Sequence, residues 1–196
     1  MRKIPEESDN PIDNFILKIV DPLCPLFKAL HFTPNGITTI SLVFGLLSAY
    51  LLYKGHPYLF GITFFISYFF DCMDGYYARK YNMVTRFGDI YDHVKDIVVI
   101  LIILYIFLKR NYKCSPRLMI IFAIVMGIIL LLMFAFIGCQ EKIYRTDQSP
   151  ALDWTKIFCP NPKMISFFKF FGPATLILIY IFIIIWVERK NKGCIR

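Results

Sequence analysis

Asp71, Asp74, Asp92 and Asp96 are four carboxylates set into a chain dominated by apolar residues. Asp71 and Asp74 are three residues apart and Asp92 and Asp96 are four apart, so on helices each pair shares one face. Residues 58–70, all uncharged, precede Asp71. At about 1.5 Å per residue they cover roughly 20 Å of a hydrocarbon core about 30 Å thick, which puts the first pair within a membrane. A helical hairpin turning through KYNMVTR, residues 80–86, brings the two acidic edges together. Four ionised carboxylates there repel one another and lose hydration worth several kcal/mol each. Divalent cations relieve both costs, and an all-oxygen set suits Mg²⁺, Mn²⁺ or Ca²⁺ rather than zinc. Two ions between the edges form a clamp for phosphoryl chemistry. Two other arrangements compete: a structural ion-pair network with Arg79, Arg86 and Lys95, and a cation or proton relay of the kind transporters use.

Gly75 directly follows Asp74 and lets a flat or phosphorylated ligand approach the backbone. Ala78 and Gly88 keep the cleft walls low, although close helix packing selects small residues too. Arg79 lies one turn beyond Gly75, where it can bind a phosphate or extend to the headgroups.

The elements that must position these residues are membrane helices. The chain of 196 residues is 57% hydrophobic and 18% charged, which excludes an ordinary soluble domain. Its net charge of +8 comes mainly from short basic segments between apolar runs, a pattern of membrane-surface charge and not of nucleic-acid binding. The expected fold is all-α, a polytopic bundle in one domain over 1–196. It opens with an amphipathic interfacial helix at 11–31, which Pro22 and Pro25 are expected to break. Five clear spans follow at about 35–53, 58–79, 88–108, 118–139 and 172–187. The apolar segment 163–172 is too short to cross alone. The basic tail ERKNKGCIR favours the same side as the N-terminus, which asks for an even number of spans, six. Cys139 and Cys159 bracket a polar loop and can pair if it faces an oxidising lumen; the other cysteines read as apolar filler.

The carboxylates and their neighbours also match a signature, D-x2-D-G-x2-A-R-x8-G-x3-D-x3-D, at Asp71, Asp74, Gly75, Ala78, Arg79, Gly88, Asp92 and Asp96. In this the chain resembles the CDP-alcohol phosphotransferases, and TPNGIT at 33–38 resembles that family's entry into its first membrane helix, with Pro34 suited to a first turn. The likeness runs from about 11 to 107 and fades beyond. It implies a six-helix bundle whose cleft opens to the cytoplasmic leaflet, in the endoplasmic reticulum if the cell is eukaryotic. It also implies catalytic spans over 35–109 and variable acceptor-side spans over 117–190.

The implied reaction, a step in phospholipid synthesis, moves a phosphate-linked group from a CDP-activated donor to an alcohol or diacylglycerol and releases CMP. Mg²⁺ or Mn²⁺, two ions, would be held by Asp71, Asp74, Asp92 and Asp96, with Asp96 as general base. Asn35, Thr38, Asp71, Asp74, Gly75, Ala78, Arg79 and Gly88 would bind the CDP moiety. Asp89 and Lys95 fall at variable positions and read as helix-end or charge-balancing residues. His93 after Asp92 resembles the choline and ethanolamine enzymes, and the fourth and last spans lack a basic residue for an anionic acceptor, so a CDP-aminoalcohol donor is modestly preferred. TRFG at 85–88 resembles the branch that uses CDP-diacylglycerol with a soluble alcohol, which is the alternative. Membrane lipids are the surroundings, and a homodimer is left open.

Overall fold

The computed structural model describes residues 4–144 and 150–194. It is helical almost throughout, with α1 at Pro11–Ala29, α2 at Pro34–Tyr53, α3 at Pro57–Lys80, α4 at Arg86–Asn111 and α5 at Pro116–Ile143. Short pieces at Pro150–Phe158, Pro162–Met164, Ile165–Phe168 (α6) and Lys169–Phe171 lead into α7 at Pro173–Lys190.

Capping side chains and prolines set the helix starts. Asn10 accepts from the amides of Ile12 and Asp13, Thr33 from Gly36, and Thr85 from Gly88. Pro11, Pro34, Pro57, Pro116 and Pro173 each begin a helix, where the missing N–H costs nothing.

α1 does not break at Pro22 and Pro25, contrary to expectation; it runs through both to Ala29. Pro25 cannot donate to the carbonyl of Asp21 four residues back. Lys80 from α3 takes that carbonyl instead, at 3.1 Å, while also pairing with the Asp21 carboxylate at 2.6 Å. The orphaned acceptor is thus satisfied from another helix. Ile16, Val20 and Cys24 are buried toward α2 and α3, whereas Phe15, Ile19 and Leu26 are exposed, as an interfacial helix requires.

Small residues let α2, α3 and α4 come close. Ser41 Oγ donates to the Ser67 carbonyl at 2.9 Å and Ser67 Oγ donates to that of Ser41 at 2.8 Å, a reciprocal clasp between α2 and α3. At Gly45 an added Cβ would meet Val99 Cγ1 of α4 at 2.9 Å. One apolar cluster, including Leu52, Phe60, Ile103, Phe107 and Ile184, fills the half of the bundle away from α1. A second, including Ile16, Ile37, Met73 and Tyr77, ties α1 to α2 and α3.

α2, α5 and the stretch Pro162–Lys190 are long and apolar enough to cross a membrane. α3 and α4, with 24 and 26 residues, have the length but carry the aspartates and several basic residues. Val43, Ile97, Leu101, Ile124 and Leu131 are among the large apolar side chains left exposed, the surface a lipid-embedded bundle presents.

Among the described residues five long helices follow α1, and the sixth span is not confirmed. Residues 163–172 form only short turns, interrupted before Pro173. α7 starts beside α1, where Asn10 Nδ2 donates to the Lys169 carbonyl and to Thr175 Oγ1. It ends beside the α4–α5 turn, where Asn191 meets Asn111 and Ser115. The C-terminal tail is therefore at the opposite end from α1. Cys139 and Cys159 are paired, and so are Cys114 and Cys194, which the sequence left as filler. The two disulfides stand at opposite ends of the bundle and favour neither end as the oxidised one.

Candidate active site

The turn between α3 and α4 occupies residues 81–85, with Asn82 in the left-handed region at φ 54°. It folds α4 back along α3, and the two acidic edges converge as the spacing requires. One carboxylate oxygen each from Asp71, Asp74 and Asp92 lies within 4.8 Å of the others. Asp96 stands outside that trio and has the most open side chain, 49% exposed against 21% for Asp71 and 30% for Asp92.

Lys95 occupies the centre. Its ammonium contacts Asp71 Oδ1, Asp96 Oδ1 at 2.8 Å, Asp92 Oδ1 at 3.2 Å and Ser41 Oγ at 3.2 Å, and the residue is only 3% exposed. The contact with Asp92 is an ion pair without hydrogen-bond alignment, and Asp92 Oδ1 is left without a hydrogen-bond partner. Asp74 Oδ2 is also buried without one. A carboxylate held out of water with an open lone pair is costly. Two such oxygens, on residues whose carboxylates cluster within 4.8 Å, fit an oxygen-seeking divalent cation at Asp71, Asp74 and Asp92. The sequence underrated Lys95. It is three residues after Asp92 on the same helical face, and that spacing was the available signal.

The remaining candidates surround this centre. The Arg79 guanidinium folds back over Gly75: a Cβ there would meet Arg79 Nη1 at 3.3 Å. Arg79 Nε is buried without a partner, so the group has a donor to spare. Ala78 is half-buried on the same helix. Asn35 at the start of α2 reaches Gly88 on α4, where a Cβ would come within 2.9 Å of Asn35 Oδ1. Gly88 therefore sets the approach of α2 to α4. Thr38, buried beside Asp74, donates to the Pro34 carbonyl at 3.1 Å. Thr39 Oγ1 and Tyr91 Oη are 3.1 Å apart across the same helix pair. His93 does not join the site: its Nδ1 is 2.7 Å from the Asp89 carbonyl one turn back on α4.

α1 braces the site from outside. Tyr68 of α3 donates to Asp13 Oδ1, and Tyr76 donates to Asp21 Oδ1 at 2.8 Å. Burial pushes the Asp13 carboxyl up to about 6, with the Tyr68 hydroxyl partly offsetting the effect.

A family model described as CDP-alcohol phosphatidyltransferase matches residues 31–193. Curated relatives match over shorter stretches. The CDP-diacylglycerol–inositol 3-phosphatidyltransferase of Candida albicans is 40% identical over 65 residues, 33% of this chain and 28% of that protein. The CDP-diacylglycerol–glycerol-3-phosphate 3-phosphatidyltransferase of Haemophilus influenzae is 33% identical over 73 residues, 37% and 40% of the two chains. The archaetidylinositol phosphate synthase of Pyrococcus horikoshii is 34% identical over 82 residues, 40% and 44%. The aligned stretches thus span less than half the length of these relatives. No solved structure matches the chain.

Proposed function

Because the chain belongs to the CDP-alcohol phosphatidyltransferase family, we propose that it transfers a phosphatidyl group from CDP-diacylglycerol to a small soluble alcohol and releases CMP. The observation that carries this reading is the convergence of Asp71, Asp74 and Asp92 within 4.8 Å, beside Asp96 and under the Gly75–Arg79 turn. Asp71, Asp74 and Asp92 would hold the divalent cation. When bound, that cation supplies charge neutralisation for the donor pyrophosphate and the departing CMP. Arg79, with its unpartnered Nε, offers a donor to the pyrophosphate, and Gly75 leaves room for it to approach. Asn35 and Thr38 line the α2 side, suited to the cytidine portion.

The acceptor hydroxyl oxygen attacks the phosphatidyl phosphorus as the bond from that phosphorus to the CMP oxygen breaks. Asp96 takes the hydroxyl proton: it is the most open of the four carboxylates and lies outside the trio.

The donor is CDP-diacylglycerol and not a CDP-aminoalcohol for two reasons. His93, the residue that favoured the aminoalcohol, is turned to its own helix backbone. The Candida and Haemophilus relatives are named for CDP-diacylglycerol donors with inositol and glycerol-3-phosphate acceptors. A soluble acceptor and a nucleotide donor both put the site end at the cytoplasmic surface. The test is CMP release by purified protein in mixed micelles. Turnover is expected with CDP-diacylglycerol plus inositol, an inositol phosphate or glycerol-3-phosphate. Turnover of CDP-choline or CDP-ethanolamine with diacylglycerol, and none of CDP-diacylglycerol, overturns it.

A further inference from the structure

A site with four carboxylates has room for two divalent ions, yet one of the positions between them holds a side chain. Lys95 reaches Asp71, Asp92 and Asp96 together with Ser41 Oγ, more acceptors than the three donors of an ammonium can serve at once. A lysine on a membrane helix ordinarily extends toward headgroup water. Lys95 is instead 3% exposed and turned inward, against the clasp of Ser41 and Ser67 that joins α2 to α3.

The carboxylates divide around it. Asp71, Asp74 and Asp92 offer oxygens close enough for one ion, and Asp74, 5% exposed, has an oxygen without a hydrogen-bond partner. Asp96 is absent from the trio, and its Oδ1 is 2.8 Å from the ammonium. We propose that Lys95 is a tethered cation that takes the place of the second metal ion, so that each chain binds one divalent cation, at Asp71, Asp74 and Asp92. This rests on the reading of those aspartates as metal ligands and departs from the two-ion clamp that the sequence suggested.

Charge counting agrees. Four carboxylates, the Lys95 ammonium and the Arg79 guanidinium near Asp74 carry a net −2, which one divalent ion cancels. A second ion would have to displace an ammonium that cannot diffuse away. The tether has a further consequence: chelation leaves Asp71, Asp92 and Asp96 with a counter-charge, so the metal-free protein stays folded.

The test counts bound metal without using turnover. Purified protein is equilibrated with Mn²⁺, and bound Mn²⁺ per chain is measured together with its electron paramagnetic resonance spectrum. The wild type is expected to bind one ion with an uncoupled six-line signal. Lys95→Ala is expected to bind two with a spin-coupled signal, and Lys95→Arg to stay at one. Thermal unfolding in chelator should show a lower midpoint for Lys95→Ala than for wild type, restored by Mn²⁺. Two ions per wild-type chain overturn the proposal. So does one ion in Lys95→Ala with the wild-type midpoint in chelator. If Lys95→Ala does not fold, the wild-type count decides. No bound Mn²⁺ in the wild type would instead overturn the metal reading on which the proposal rests.

Discussion

Buried charge is handled in opposite ways at the two ends of the bundle. At the end away from α1, Glu188 is 4% exposed and is met by Arg110 Nε and Nη2, at 3.2 and 3.0 Å, and by Asn111 Nδ2 at 2.6 Å. Arg110 Nη1 goes on to the Tyr53 carbonyl, and Asn191 joins Asn111 to Ser115. One cation meets one anion, with amides and a hydroxyl supporting them. At the end beside α1, three carboxylates share one ammonium with a fourth, Asp74, beside them, and two of the oxygens have no hydrogen-bond partner. The first arrangement locks α4 to α7. The second leaves an electrostatic deficit that a bound cation would fill, which is how a ligand site differs from a structural one.

The contrast breaks most visibly through the unsatisfied end. Chelating divalent cations should abolish CMP release while the protein remains folded, with Mg²⁺ or Mn²⁺ restoring it. Asp74→Asn should lose both turnover and donor binding with no loss of thermal stability, because it removes a buried charge whose Oδ2 has no hydrogen-bond partner. Full turnover after exhaustive chelation would make the near end as structural as the far one. Asp96→Asn should separate from Asp74→Asn by retaining donor binding while turnover drops about a hundredfold to ten-thousandfold. A loss under tenfold, measured as CMP release, would remove Asp96 from the role of base.

The far end should respond in stability. Glu188→Ala leaves Arg110 uncompensated and is expected to cost about 3–5 kcal/mol in detergent unfolding, with CMP release per folded molecule unchanged. The double variant Arg110→Met with Glu188→Met should recover most of that loss, since no charge remains to be desolvated. Equal losses in the single and double variants would show that packing, and not ion pairing, holds α4 to α7.

The sequence disclosed the unsatisfied end far better than the satisfied one. Helical spacing alone put Asp71 with Asp74 and Asp92 with Asp96, and the chemistry of crowded carboxylates required a cation. Gly75, Arg79 and Gly88 followed from the motif and Asn35 from TPNGIT; Arg79 folds over Gly75, and Asn35 meets Gly88. Lys95 was discounted because its importance depends on which way one flexible side chain turns, and local pattern does not encode that. Glu188, Arg110 and Asn111 carried no signal, since their meeting joins residues 77 and 78 positions apart in the chain. The continuity of α1 across Pro25 rests on Lys80, again a partner distant in sequence. The sixth span rested on tail charge, which constrains the side of a terminus only weakly, whereas residues 162–171 form short interrupted turns before Pro173.

Asp13 gives the finest test of the comparison, because it lies at the site end yet its hydrogen-bond partners among the described residues are neutral groups. Tyr68 Oη donates to its Oδ1, the Cys72 thiol is 3.8 Å away, and no cation among the described residues pairs with it. Burial raises its carboxyl from 3.8 to about 6, so the folded protein holds the proton more tightly than the unfolded chain. The stabilisation is complete below about pH 3.8 and is lost as pH rises through about 6, a change of at most about 3 kcal/mol. Asp13→Asn keeps an oxygen for Tyr68 and removes the titration. Its unfolding midpoint should therefore fall less than that of the wild type between about pH 4 and 7, with the two curves meeting at the acidic end. Parallel curves would mean that Asp13 ionises as freely as a surface carboxylate. The near end would then tolerate a buried charge even where no cation, tethered or bound, is present.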